Sequence, residues 1–67
     1  DRLRLVQGLL DNIDEDKRLA LVLVDIEGLT APEVAELTGT PLNTVYTRLR
    51  RARLELNAAL SRQRGQP

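Results

Sequence analysis

Hydrogen-bonding and cationic side chains gather in one short stretch of the chain, TPLNTVYTRLRRAR at residues 40–53. If this stretch is a helix with about 100° between successive residues, one face carries four polar side chains: Asn43, Tyr46, Thr47 and Arg50. Amide, hydroxyl, phenol and guanidinium groups can donate to and accept from the edges of base pairs in the major groove of DNA. The stretch therefore indicates a nucleic-acid-reading helix, and the alternative is an ordinary solvated helix face.

Further side chains border that polar face. Thr44, Arg48 and Arg51 fall on one flank of the helix, and Arg53 borders the other side. Cations beside a base-reading face are suited to contact with phosphates. The opposite side of the helix is an apolar stripe, which we expect to pack on the rest of the domain: Val45, Leu49, Ala52, Leu56 and Ala59.

The net charge of zero hides a division along the chain. Residues 1–47 carry four positive and nine negative side chains, a net charge of −5, whereas residues 48–67 carry six arginines and one glutamate, a net charge of +5. This asymmetry suggests that the C-terminal part faces a polyanion and the N-terminal part does not.

The composition argues against several classes of protein. The chain has no cysteine and no histidine, which removes disulfides, thiolate chemistry, the commonest zinc ligands and the usual general base. No pair of nucleophile and base stands out, so we expect no enzymatic activity, metal or cofactor. The longest apolar run, at residues 19–24, is far shorter than the roughly 18 residues that span a bilayer, so we expect a soluble, cytoplasmic protein. Because the chain begins without methionine, we expect it to be a domain of a larger protein.

Four helices and no sheet are predicted to position these side chains, at about residues 2–11, 14–27, 31–38 and 41–61. The run LALVLV at residues 19–24 fits a buried strand or a buried helix by periodicity alone. We favour a helix, because acidic residues suit its start, Gly28 suits its end and no second strand exists to pair with a lone one. The predicted fold is an all-α, winged-helix-like domain over residues 1–61, with a flexible tail over residues 62–67.

The third and fourth helices are joined by a recognisable turn. Thr30 and Glu33 have the spacing of a capping box, and Pro32 lies in the first turn, where its missing donor costs little. Gly39 supplies the flexible backbone of a tight turn, after which Pro41 can start the next helix. Two helices joined in this way form a helix-turn-helix, and an ordinary αα-corner is the alternative.

From Leu9 to about residue 60, the chain resembles the promoter-reading region 4 of bacterial sigma factors of the extracytoplasmic-function (ECF) group. The resemblance lies in Glu33-Val34-Ala35, the glycine of the turn, Asn43-Thr44-Val45 and the run RLRRAR at residues 48–53. The chain departs from the family's pattern at four positions. Asp14 stands where the family often has proline, and Ala31 where some members have a polar or aromatic residue. Asn43 replaces a common glycine, and Tyr46 replaces a common basic residue.

The resemblance implies that the helix from Pro41 onward binds the −35 element of promoters. It also implies that the first two helices dock on the flap of the RNA polymerase β subunit, and that an anti-sigma protein covers these surfaces. With it, base reading is assigned to the polar face: Asn43, Tyr46, Thr47 and Arg50. Phosphate binding is assigned to the flanks: Thr44, Arg48, Arg51 and Arg53. For Arg48 and Arg53, the alternative is an ion pair with Glu55 or with a carboxylate of another helix.

The first two helices hold more apolar side chains than so small a fold can bury. We therefore expect them to expose a protein-docking surface, with Leu5, Leu9 and Val24 as candidates. Two further functions stay open: the DNA-binding domain of a quorum-sensing-type response regulator, which would dimerise and bind a palindrome, and a protein-interaction module that binds no DNA.

Overall fold

The computed structural model describes the backbone of residues 2–65 and the side chains of residues 2–62. Over that range the chain is helical and contains no strand: α1 (Arg2–Asp11), α2 (Glu15–Leu21), a π-helical segment (Val22–Ile26), α3 (Ala31–Thr38) and α4 (Leu42–Gly65). The predicted all-α fold is confirmed for the described residues. Within the described part of the chain, no helix has both the length and the apolar character needed to cross a membrane.

The run LALVLV is helical, but its second half differs from the prediction of a single α-helix over residues 14–27. From Val22 the chain continues as a π-helix, in which the Glu27 N–H donates to the Val22 carbonyl at 2.9 Å. A π-helix has a wider turn than an α-helix and therefore changes the direction of the side chains that follow. The helix ends where Gly28 adopts a φ of +84°, a conformation that glycine reaches without steric cost.

The capping box at the start of α3 is formed as predicted. The Glu33 N–H donates to the Thr30 hydroxyl at 3.2 Å, and the Thr30 N–H donates to the Glu33 carboxylate at 2.8 Å. The latter hydrogen bond stabilises the ionised carboxylate and lowers the pKa of Glu33. At the other end of α3, Gly39 has a φ of +64°, and the Thr40 N–H donates to the Ala35 carbonyl at 3.0 Å. These contacts fix the tight turn between α3 and α4.

The buried apolar side chains form two clusters, and α4 contributes to both. One cluster joins α1, α2 and α4 with a residue of the connection between α1 and α2: Leu10, Ile13, Ala20, Leu21, Leu49 and Ala52. The other joins α3 and α4: Ala31, Val34 and Val45. The predicted apolar stripe of α4 is confirmed, because Val45, Leu49 and Ala52 are only 1%, 4% and 0% exposed. The opposite side of α4 is consequently turned to solvent.

Two expectations need correction. Leu9 was expected on an exposed docking surface, but it is only 7% exposed, because it lies against α4 beside Ala59. Leu5 is 43% exposed, and Val24 is half-buried against both core clusters. In addition, α4 continues to Gly65, past its predicted end at residue 61. The predicted tail over residues 62–67 is thus helical through Gly65, and residues 66 and 67 lie outside the described residues.

Candidate nucleic-acid interface

The polar face of α4 is turned to solvent. All four of its side chains are exposed: Asn43, Tyr46, Thr47 and Arg50. This orientation follows from the core, since the buried Val45, Leu49 and Ala52 fix the rotation of the helix about its axis. The sequence assigns base reading to these four residues as an expectation, and we call them the base-reading face below after that expectation.

A shallow depression lies in the base-reading face. It has a volume of about 340 Å³ and is lined by Tyr46, Thr47, Leu49, Arg50 and Arg53. Tyr46 and the two arginines therefore border one small area. This combination of an aromatic ring, a hydroxyl and hydrogen-bond donors can contact a base edge or a phosphate.

The hydroxyl group of Thr47 already makes one hydrogen bond within its own helix. This hydroxyl donates to the Asn43 carbonyl at 3.0 Å, one turn earlier. With its hydrogen so engaged, the hydroxyl oxygen of Thr47 can still accept a hydrogen bond from a donor outside the helix. The free protein thus presents Thr47 as an acceptor beside the donors of Arg50.

The side chains of Arg50 and Arg51 are exposed and make no hydrogen bond or ion pair with the described residues. A guanidinium group carries five N–H donors in a planar fork that matches the edge of guanine and the oxygens of a phosphate. Both groups can bind a partner without first breaking a contact with another described residue.

Arg53, in contrast, is held by a carboxylate of the π-helical segment. Its Nε donates to Oδ2 of Asp25 at 2.9 Å, and its Nη2 donates to Oδ1 of Asp25 at 2.6 Å. The Arg53 hydrogen bond holds the pKa of the Asp25 carboxyl below its usual value, and Asp25 raises the pKa of Arg53. The structure thus pairs Arg53 with a carboxylate of another helix, which was the alternative to phosphate binding.

Arg48 also has an acidic neighbour, at longer range. Its Nη2 lies 3.7 Å from Oδ2 of Asp16 in α2, beyond hydrogen-bond distance. The Asp16 side chain is 74% exposed, so water screens this attraction. Thr44, on the same flank, is half-buried. Among the four candidate phosphate ligands, Arg51 alone is exposed and makes no ion pair within the described part of the chain.

The acidic residues that neutralise these flanks were not identified from the sequence. Asp16 and Asp25 belong to the negative half of the chain, and Lys17 of α2 forms a further ion pair with Glu55 of α4. The charge asymmetry indicated a negative N-terminal part and a positive C-terminal part of the chain, but only the packing of the helices shows which side chains meet. Across the described residues, no group of histidine, cysteine, aspartate or glutamate side chains is arranged to hold a metal ion.

Together, the capped α3, the glycine turn and the exposed polar face of α4 define a helix-turn-helix domain of the DNA-binding class. Residues 3–56 match the family model described as Sigma-70, region 4. The chain therefore belongs to the sigma-70 region 4 family, as its resemblance to ECF sigma factors led us to expect.

Three curated relatives agree with this assignment. The chain is 39% identical over 57 residues to the ECF RNA polymerase sigma factor SigE of Mycolicibacterium smegmatis, covering 85% of the chain and 22% of the relative. It is 38% identical over 50 residues to the ECF RNA polymerase sigma-E factor of Haemophilus influenzae, covering 75% of the chain and 26% of the relative. It is 37% identical over 54 residues to the ECF RNA polymerase sigma factor EcfG of Rhodopseudomonas palustris, covering 81% of the chain and 30% of the relative.

The chain thus spans between 22% and 30% of the length of these relatives. No solved structure gives a significant match.

Proposed function

We propose that this domain reads the −35 element of promoters as part of an ECF sigma factor that directs bacterial RNA polymerase to initiate transcription, and that it therefore acts in the cytoplasm. The observation that carries the proposal is the base-reading face of α4. Within a helix-turn-helix of the sigma-70 region 4 family, this face is polar, exposed and fixed in rotation by three buried residues of the same helix: Val45, Leu49 and Ala52.

In this proposal, the base-reading face enters the major groove. From Asn43 to Arg50 the helix axis covers about 10 Å, which is enough to follow a few base pairs. Arg50 reads a base edge through its guanidinium fork, and the remaining members supply an amide, a phenol and a hydroxyl: Asn43, Tyr46 and Thr47.

The flanks bind phosphates and position the helix without reading sequence. Arg51 is the main phosphate ligand, since it is exposed and makes no ion pair with the described residues. Thr44 adds a hydroxyl close to the start of α4. Arg48 can contribute beside its distant neighbour Asp16, whereas Arg53 is engaged by the hydrogen-bonded Asp25.

Selection of duplexes from a randomised pool tests this function. The domain should enrich a short, non-palindromic sequence and bind it more tightly than a scrambled duplex of the same length. Enrichment of a palindrome by a dimer would instead support the response-regulator alternative. A complete lack of duplex binding at low salt would favour the protein-interaction module.

We also propose that α1 docks on the flap of the polymerase β subunit, a surface that an anti-sigma protein could cover. The supporting observation is that α1 exposes Leu3, Leu5 and Val6, which are 67%, 43% and 39% exposed. Exposed apolar side chains are available for contact with a partner protein.

Leu5→Asp tests the docking surface against a matched control. The variant should weaken binding to an isolated β-flap fragment and leave duplex binding unchanged. Leu54→Asp makes the same chemical change at a residue of α4 that is 63% exposed, and it should leave flap binding unchanged. Equal losses in both variants, or none in either, would contradict docking through α1.

A further inference from the structure

The ion pair between Arg53 and Asp25 lies at the edge of the depression in the base-reading face. Arg53 lines this depression together with Tyr46, Thr47 and Arg50. Its Nε and Nη2 donate to the two carboxylate oxygens of Asp25 at 2.9 and 2.6 Å. An arginine binds two oxygens of a phosphate with the same fork. Asp25 therefore occupies one of the two edges with which the guanidinium group could bind a phosphate of DNA.

The four arginines in the middle of α4 differ in how strongly an acidic residue engages them. Arg50 and Arg51 have no acidic partner among the described residues, and Arg48 has a single contact with Asp16 at 3.7 Å. Arg53 alone has a two-point hydrogen-bonded partner within the described part of the chain. Its charge is thus neutralised locally, while its neighbours on the helix keep theirs.

Asp25 is placed for this contact by the backbone that carries it. It lies in the π-helical segment, directly after Val24, which packs against both core clusters. On the other side, Arg53 directly follows Ala52, which is 0% exposed. Since both neighbours are anchored in the core, the two charged groups meet without the ordering of a flexible loop.

We propose that Asp25 is a positioning residue that withholds Arg53 from the DNA backbone and thereby raises the ratio of sequence-specific to non-specific binding. The inference rests on the proposed DNA-binding function. With Asp25 present, Arg53 lines the depression beside Arg50, and its charge is balanced, so that it adds no net charge to the base-reading face. Without Asp25, its guanidinium group becomes an additional phosphate ligand for any DNA sequence.

Asp25→Asn, with Glu27→Gln as control, tests this inference. Both changes remove one negative charge from the same stretch of chain, two residues apart, but Glu27 is exposed and makes no ion pair with the described residues. The assay is binding to a random-sequence duplex at several salt concentrations. Asp25→Asn should steepen the slope of log affinity against log salt by about 0.9, so that its gain in affinity shrinks about 3.5-fold between 50 and 200 mM salt. Glu27→Gln should leave the slope at the wild-type value.

Arg53→Ala completes the cycle. In the wild-type background it should leave the salt slope unchanged, because Arg53 is already engaged by Asp25. In the Asp25→Asn background it should abolish the gain in non-specific affinity. Circular dichroism at each salt concentration verifies that every variant keeps its helices.

The possible failures are distinguishable. Two results would overturn the role of Asp25 and leave the proposed function intact. One is a salt slope that falls by about 0.9 when Arg53→Ala is made in the wild-type background. The other is a salt slope for Asp25→Asn that equals the slope for Glu27→Gln. A gain that persists in the double variant also overturns it. If the wild-type domain binds neither a selected nor a random duplex at low salt, the proposed function and this inference fail together.

Discussion

Replacing Arg50 with alanine tests base reading with little disturbance of the fold. The Arg50 side chain is exposed and makes no hydrogen bond or ion pair with the described residues. Alanine favours the helix, and surface substitutions that remove no specific contact usually change the free energy of unfolding by less than about 0.5 kcal/mol. A change in DNA binding by this variant can therefore be attributed to the lost guanidinium group.

The expected magnitude follows from the geometry of the contact. A bidentate hydrogen bond from arginine to a base edge contributes about 1–3 kcal/mol of discrimination. That free energy corresponds to a loss of roughly 5- to 140-fold in affinity for the selected duplex. On a scrambled duplex the matching base is absent, so Arg50→Ala should cost much less there.

The assay is fluorescence anisotropy on the selected and the scrambled duplex, with Arg51→Ala as the matched control. Arg51 is also exposed but lies on the flank, so its loss should weaken both duplexes alike and reduce the salt slope by about 0.9. Equal losses for Arg50→Ala on both duplexes would refute base reading by Arg50. The specificity would then have to come from Asn43, Tyr46 and Thr47.

Three further predictions concern the fold and are measured by urea unfolding. The Leu21 side chain is only 2% exposed. Leu21→Ala should lower the free energy of unfolding by about 2–5 kcal/mol, because it leaves a cavity between the helices. Thr30→Ala should lower it by about 1 kcal/mol, because the capping hydroxyl of α3 is lost, and no change would contradict the capping role. Arg53 lowers the pKa of Asp25 below its ordinary value of 3.8. The contribution of this ion pair to the free energy of unfolding is therefore complete above pH 3.8, and it is lost as the pH falls through the lowered pKa. The difference in unfolding free energy between wild type and Arg53→Ala should therefore shrink on acidification, and a constant difference would contradict this linkage.

The parts of the fold that could be predicted from the sequence are those set by contacts between near neighbours in the chain. The capping box joins Thr30 and Glu33, and the turn depends on the positive φ that Gly39 adopts. The apolar stripe of α4 depends on helical periodicity alone, and it predicts which side of the helix is turned to solvent.

The rest of the structure depends on how the helices pack. The π-helical segment has no distinct signal in the run LALVLV, since the same residues fit an α-helix. Leu9 is buried only because α4 is long enough to reach α1. The pairing of Arg53 with Asp25 joins residues 28 positions apart, and no periodicity within one helix can indicate it.

The central claim, that the base-reading face of α4 enters a DNA groove, is tested most directly by an NMR titration of the labelled domain with the selected duplex. We expect the largest changes in chemical shift in α4, at the base-reading face and in the side-chain resonances of Arg50 and Arg51, with small changes in α1. Changes centred on α1 with an unperturbed base-reading face would contradict the claim.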